Sequence, residues 1–216
     1  MKEQLEAELF CDPFPLMIIS NFYNEEELDL IWKELDFYTA PNKLLTAKNY
    51  GGIVENTNAK ALLLDDIYLD KTNDKEKINF RNISNILTLN RKLFDSGVLD
   101  AFSEIDDCVC LASKSNWDCT KVRYYHNNEY YDPHTDSPYQ FLAFSYFYKE
   151  PKKFKGGDLL FPKYDMKLPC DNNSMIIFPG WVEHGVRKVK IENSDYYDGW
   201  GRYAITSFFG CRDIKR

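Results

Sequence analysis

The chain has 216 residues, 44% of them hydrophobic and 16% aromatic, and its 27 Lys and Arg against 34 Asp and Glu give a formal charge of −7. That length suits one folded core, since single domains commonly extend to about 200–250 residues, and the apolar content argues against disorder. A net negative field repels a phosphate backbone, so nucleic acid is not expected as a partner.

Apolar runs such as Leu16–Ile19 and Met175–Phe178 are four residues long, against roughly 18 for a membrane span. The stretch Met1 to Phe10 alternates charged with apolar residues and lacks the basic-then-apolar run of a secretory signal. These features point to a cytoplasmic protein with no membrane partner. The six cysteines contain no CxxC pair, so they read as free core thiols in a reducing compartment.

The first half of the chain reads as helical. Asn24 is a good N-cap, Glu25 to Glu27 complement the helix dipole, and Leu28, Ile31, Trp32 and Leu35 recur at helical spacing. A second helix is expected from Ser84 to Phe94, where Ile86, Leu89, Leu93 and Phe94 form one stripe that Gly97 ends. Between the two, Tyr50-Gly51-Gly52 reads as a turn and Lys71 to Lys77 as an exposed loop.

From Cys108 onward, short aromatic and β-branched runs alternate with Gly, Pro, Asn and Asp, the pattern of an all-β sandwich or barrel. Cys108 and Cys110 are placed on one strand face. Further strands are expected at Thr120–Tyr125, Gln140–Tyr148, Gly157–Phe161, Ser174–Phe178, His184–Lys190 and Arg202–Phe209. The expected fold is therefore α+β but mainly β. It is a double-stranded β-helix, or jelly roll, over residues 108–216, supported by helices and outer strands in 1–107, with 1–216 one catalytic domain. Alternating Phe144, Tyr146 and Tyr148 would face the barrel interior, since strand side chains repeat every two residues.

The chain has three histidines, His126, His134 and His184. His134-Thr135-Asp136 is an HxD triplet at a strand edge, where period-two geometry can aim an imidazole and a carboxylate at one point. His184 follows 50 residues later (184 − 134), a separation that can return the chain to a neighbouring jelly-roll strand. Two His and one carboxylate suit Fe(II) while leaving positions open, although zinc accepts similar ligands. Arg202 opens the apolar strand Tyr203 to Phe209, where a buried guanidinium needs an anion. A planar Arg fork with a Tyr hydroxyl nearby, for which Tyr146 is the candidate, can hold a carboxylate. The plain alternative for Arg202 is a surface ion pair on an edge strand.

Four segments in order resemble the prolyl 4-hydroxylase-like branch of the Fe(II)/2-oxoglutarate dioxygenases. They are Tyr124 with Tyr131-Asp132-Pro133-His134-Thr135-Asp136, then Tyr146-Phe147-Tyr148-Lys149-Glu150 with Gly156-Gly157-Asp158-Leu159, then Phe178 with His184-Gly185-Val186, and Arg202-Tyr203-Ala204-Ile205-Thr206. The last segment is similar to the final core strand of the hypoxia-inducible-factor prolyl hydroxylases. The resemblance, over roughly residues 120–210, implies that His134, Asp136 and His184 bind iron. It also implies that Arg202 and Tyr146 bind the 5-carboxylate of 2-oxoglutarate, and that Tyr124 lines the co-substrate pocket. Implied as well are O2 as oxidant, ascorbate as a supporting reductant, and succinate and CO2 as products.

The chain departs from that pattern between His184 and Arg202, 18 residues apart (202 − 184), which reads as an enlarged hairpin loop over 191–201. Asn193, Ser194, Asp195, Asp198 and Gly199 supply its turn chemistry, and Tyr196, Tyr197 and Trp200 are candidates to face substrate. Tyr131 and Trp181 are further candidates, while His126 is expected to be exposed and structurally neutral. The resemblance favours a prolyl residue in a peptide or protein as substrate. A free amino acid, another small molecule or a nucleobase is the alternative, and a non-catalytic metal- or sugar-binding jelly roll is the third reading.

Overall fold

A computed structural model of the protein describes residues 6–40, 43–46, 57–68, 80–192 and 195–211. Strands β1 (Glu6–Phe10) and β2 (Leu16–Ser20) lead into helix α1 (Glu25–Thr39). Strands β3 (Leu45–Thr46) and β4 (Lys60–Leu63) precede four short helices: α2 (Leu64–Tyr68), α3 (Asn85–Leu89), α4 (Lys92–Asp95) and α5 (Val98–Ser103). After them come β5 (Trp117–Tyr125), β6 (Tyr131–His134), β7 (Phe141–Phe147), β8 (Phe154–Lys155) and β9 (Leu159–Phe161). The chain closes with β10 (Met166–Leu168), β11 (Ser174–Pro179), β12 (His184–Val186), β13 (Lys190–Ile191) and β14 (Arg202–Gly210). The turn at Tyr50-Gly51-Gly52, the loop Lys71 to Lys77, the first five residues, and Asn193 and Ser194 lie outside the described residues.

Among the described residues the strands form an eight-stranded sheet in the order β1-β2-β11-β7-β14-β5-β4-β3 and a four-stranded sheet β10-β9-β12-β6, with a small β13-β8 ribbon. The large sheet divides its side chains by the period of two. Met17, Ile19, Val122, Tyr124, Phe141, Phe147, Ile177, Tyr203 and Ile205 face the helices. Leu16, Tyr125, Phe144, Tyr146, Ile176, Phe178, Ala204 and Phe208 face the smaller sheet and close the jelly-roll interior. Two apolar cores thus share one sheet.

Helix α1 begins as expected, with a reciprocal capping box between Asn24 and Glu27, each side chain accepting the other's backbone N–H at 2.9 Å. Its buried stripe, Ile31 and Leu35, packs on the helix-facing side of the large sheet. No helix among the described residues is long and apolar enough to cross a membrane.

Several expected elements differ in detail. The helix expected from Ser84 to Phe94 is broken at Asn90-Arg91 into α3 and α4. Asn90 is buried, its amide donates to Thr120 and Ser207 on the sheet, and its carbonyl oxygen accepts the hydroxyl of Tyr23. A side chain tied to two points of the sheet and to Tyr23 before α1 overrides the local helical stripe. Cys108 and Cys110 do not share a strand face, because Asp106 caps a 3₁₀ turn over Asp107–Val109 by accepting from the N–H of Cys108 at 2.8 Å. Strand structure begins only at Trp117, nine residues on (117 − 108). The six thiols are free, but four of them (Cys11, Cys108, Cys110 and Cys211) are exposed and only Cys170 is buried, so they are not core thiols as a group. The strand expected from His184 to Lys190 is two pieces, since the register shifts between His184 and Val186 and the chain then leaves to bond Asp158 and Glu129.

Candidate metal centre and co-substrate pocket

His134 ends β6 and His184 opens β12, and the two residues are directly paired in the register of the smaller sheet. Their rings lie 4.5 Å apart between centroids. Asp136, two residues beyond His134, turns back so that its Oδ2 is 3.6 Å from the Nε2 of each imidazole. The loop is held by the Asp136 N–H donating to Gly180 O at 2.8 Å. A Cβ at Gly180 would stand 2.7 Å from the Asp136 carbonyl oxygen, so this approach requires glycine.

The donor atoms of the three residues lie within 4.8 Å of one another, a group able to hold a metal ion. Each Nδ1 faces a backbone carbonyl, Asp132 O at 3.1 Å for His134 and Val182 O at 3.0 Å for His184. An Nδ1–H donating there leaves the Nε2 lone pair directed at Asp136. Burial, and then the neighbouring His134, push the pKa of His184 down to about 4, so its imidazole is neutral at ordinary pH. Burial pushes the Asp136 carboxyl up, but the imidazoles and Arg123 outweigh it and leave it below the usual carboxylate range. A neutral His184 imidazole beside an ionised carboxylate suits a divalent cation.

The same cavity runs along the inner face of β5 and β14 to Arg202, which is only 1% exposed. Its guanidinium carbon lies 4.6 Å from the ring centre of Tyr146 and 4.8 Å from that of Tyr125. The Arg202 Nε and the Tyr146 hydroxyl are both buried without a hydrogen-bond partner. Two orphaned donors packed side by side, one of them lining the pocket, are costly unless an anion joins them. Gly157, at φ +75°, admits the arginine stem, because a Cβ there would meet Arg202 Cδ at 2.8 Å.

The sequence model of the 2OG-Fe(II) oxygenase superfamily matches residues 120–210, the stretch that supplies every residue of this pocket. Residues 120–210 thus resemble a 2OG-Fe(II) oxygenase domain. Domains of this superfamily use Fe(II), 2-oxoglutarate and O2. No curated protein sequence matches the chain. Among solved structures, a prolyl-4-hydroxylase of Pseudomonas putida is similar with TM-score 0.54 and 13% identity over 91% of this chain and 92% of that one. A Trichoplax adhaerens prolyl hydroxylase in complex with a hypoxia inducible factor oxygen degradation domain peptide fragment matches with TM-score 0.58 and 14% identity, covering 90% and 82%. The viral collagen prolyl hydroxylase of Paramecium Bursaria Chlorella virus-1, in a truncated form, matches with TM-score 0.52 and 15% identity over 99% of both chains. At these identities the likeness is one of fold.

The pocket brings His134, Asp136, His184 and Arg202 together, with Tyr146 packed against Arg202, but leaves Tyr124 out. Tyr124 points to the helix side, where its hydroxyl bonds Tyr196 O and the N–H of Gly201. Tyr125, paired with Arg202 across β5 and β14, takes the pocket position instead. The 191–201 loop lets Arg202 enter its strand in register, yet Tyr196 packs on Tyr124 and His126, behind the sheet. Tyr197 is exposed beside it, in a second cavity on that side, and Trp200 stacks under Lys153. None of the three lines the oxygenase pocket. Tyr131 does, with its ring 4.6 Å from that of His134, whereas Trp181 is half exposed. His126 is not exposed as expected: it is half-buried and its Nε2 has no partner. Reading along the chain also missed Arg123, Thr206 and Phe208, which line the cavity. The signal was present in the strict alternation of Lys121, Arg123 and Tyr125 along β5.

Proposed function

We propose that this protein is an Fe(II)- and 2-oxoglutarate-dependent dioxygenase that hydroxylates a C–H bond, with a prolyl residue in a peptide or protein as its substrate. His134, Asp136 and His184 are the metal ligands, and Arg202 with Tyr146 binds the distal carboxylate of the keto acid, stacked against Tyr125. The observation that carries this reading is the orphaned Nε of Arg202, which lines the pocket that holds the His-Asp-His group, with the unpartnered Tyr146 hydroxyl packed beside it. A cradle of that kind fits a dicarboxylic acid whose other end chelates the metal.

When bound, the ferrous ion supplies oxygen activation coupled to decarboxylation of the keto acid to succinate and CO2. The protein's own part is positioning. Asp132 O and Val182 O hold the two imidazoles in their ligating tautomer, the aromatic walls Tyr131, Phe144 and Phe208 exclude water, and Arg202 sets how deep the keto acid sits. Support for a prolyl substrate comes from the three similar structures, each a prolyl hydroxylase and one of them bound to a peptide.

Anaerobic addition of Fe(II) and 2-oxoglutarate is expected to produce a weak visible charge-transfer band that is absent in Arg202→Ala. A wild-type protein without the band overturns the reading. Mass spectrometry of a proline-containing peptide library after turnover with ascorbate tests the substrate, with a single-oxygen gain expected. Silence across the library would move the substrate to the small-molecule class.

A further inference from the structure

On the helix side of the large sheet, a second cavity of about 280 Å³ opens between the last turn of α1, the start of β14 and the 196–199 turn. Its walls are phenol rings. Tyr124 and Tyr203 are a cross-strand pair of β5 and β14 with ring centres 4.7 Å apart. Tyr196 meets Tyr124 edge-on at 5.1 Å, and Tyr197 stands against Tyr196 at 5.3 Å. Among the described residues, none lines both this cavity and the oxygenase pocket.

Asp36 of α1 and Lys149, which follows β7, add a carboxylate and an ammonium to this aromatic lining. They are each other's ionic partners at 3.5 Å, with 57% and 35% of their side chains exposed. An ion pair that long and that exposed contributes little, so parting it costs little. Gly199, at φ +70°, makes room for the lysine, because a Cβ there would meet the Lys149 Nζ at 2.8 Å and the Tyr203 hydroxyl at 2.5 Å. A ligand with an anionic group alone would take Lys149 and strand Asp36, and one with a cationic group alone would strand Lys149. A ligand that carries both charges on neighbouring atoms replaces one ion pair by two and leaves neither side chain uncompensated. Beside those charges, tyrosine rings favour a flat apolar group, which they meet by stacking and edge contacts.

We infer that this cavity binds a zwitterionic α-amino acid with an aromatic side chain, its ammonium on Asp36, its carboxylate on Lys149 and its ring against the tyrosine wall. The inference stands apart from the oxygenase reading, since it uses none of the residues of that pocket. It places a ligand one residue along β14 from Arg202, on the other face of the strand, because Tyr203 follows Arg202 and pairs with Tyr124 as Arg202 pairs with Tyr125.

The test is calorimetric titration of the full chain, with Mn(II) and 2-oxoglutarate present, using L-phenylalanine, 3-phenylpropanoate and 2-phenylethylamine as probes. L-Phenylalanine is expected to bind about ten-fold or more tightly than either probe that lacks one of its charges. That advantage should vanish in Asp36→Asn and in Lys149→Gln, with the thermal midpoint of both variants at the parent value because both side chains are exposed. Tyr197→Ala, which trims an exposed part of the wall, should weaken L-phenylalanine several-fold. Absence of L-phenylalanine binding, equal binding of the three probes, or tighter binding of a singly charged one overturns the inference. Affinity for L-phenylalanine that survives both charge substitutions places the amino acid elsewhere, as for a substrate of the oxygenase pocket, and overturns it as well.

Discussion

The two faces of the large sheet obey opposite rules. The face towards the helices is mostly apolar: Val122, Phe141, Phe147, Ile177, Tyr203 and Ile205 pack beneath α1, α3 and α5, and the buried Thr120 and Ser207 there are bonded to Asn90. The face towards the small sheet carries Arg123, Arg202 and Thr206 on the same strands, close to a metal-competent triad and two orphaned polar groups. Strands that alternate every residue let one backbone serve both ends, so stability is concentrated on one side and chemistry on the other. The difference teaches that the buried charge on this face belongs to a cavity wall and not to the apolar core.

The sharpest break in that comparison is functional. His134→Ala or Asp136→Ala is expected to abolish turnover while the thermal midpoint stays level or rises, because removing a strained polar group from a site commonly relieves the fold. Steady-state assays beside thermal melts check this, and a large drop in midpoint would place those residues in the structural core. The matching substitution on the other face, Phe147→Ala, should do the reverse. Phe147 is fully buried with Tyr23 and Trp32 rings within 6.3 Å, so the loss is about 3–5 kcal/mol in denaturant unfolding. Fe(II) affinity measured below the unfolding range should be retained.

The same contrast explains what was legible in the chain. With three histidines in all, the HxD triplet and His184 stood out, and β6 and β12 place them opposite each other as strand periodicity allows. Arg202 was legible because a guanidinium among Tyr203 to Phe209 violates the apolar pattern around it. Tyr124 was misplaced because its neighbour Tyr125 is chemically identical and only the face distinguishes them. Local logic turns Lys121 and Arg123 to solvent, but Arg123 is buried and Lys121 is only partly exposed on β5. The break at Asn90 was hidden for a different reason: its cause is a bond to Thr120 and Ser207, distant in sequence.

A subtler consequence follows from His184, whose pKa is depressed by burial and by His134 to about 4 from an ordinary 6.5. The unfolded chain binds a proton between those values that the metal-free native protein does not, so this group's contribution to stability is complete above pH 6.5 and is lost as pH falls towards 4. The full loss is about 3 kcal/mol. Asp65, raised by burial, works in the opposite sense, which makes the diagnostic quantity a difference: His184→Gln should flatten the fall in unfolding free energy between pH 6.5 and 4 relative to the parent. Parallel curves would mean that His184 is solvated in the folded protein.

The smallest effect tests whether the helical layer is merely a support. Asn24 and Glu27 satisfy each other's backbone N–H groups at the start of α1, and Glu27 also pairs with Lys92 at 2.8 Å, linking α1 to α4. Asn24→Ala removes one cap and should cost about 1 kcal/mol, read in chemical denaturation, with no change in the keto-acid charge-transfer band. The two sides of the sheet are mechanically independent if that band is unmoved. A cap substitution that shifts it would show that α1 transmits its position through Trp32, which stacks edge-on against Tyr203 at 5.0 Å, to the strand that carries Arg202.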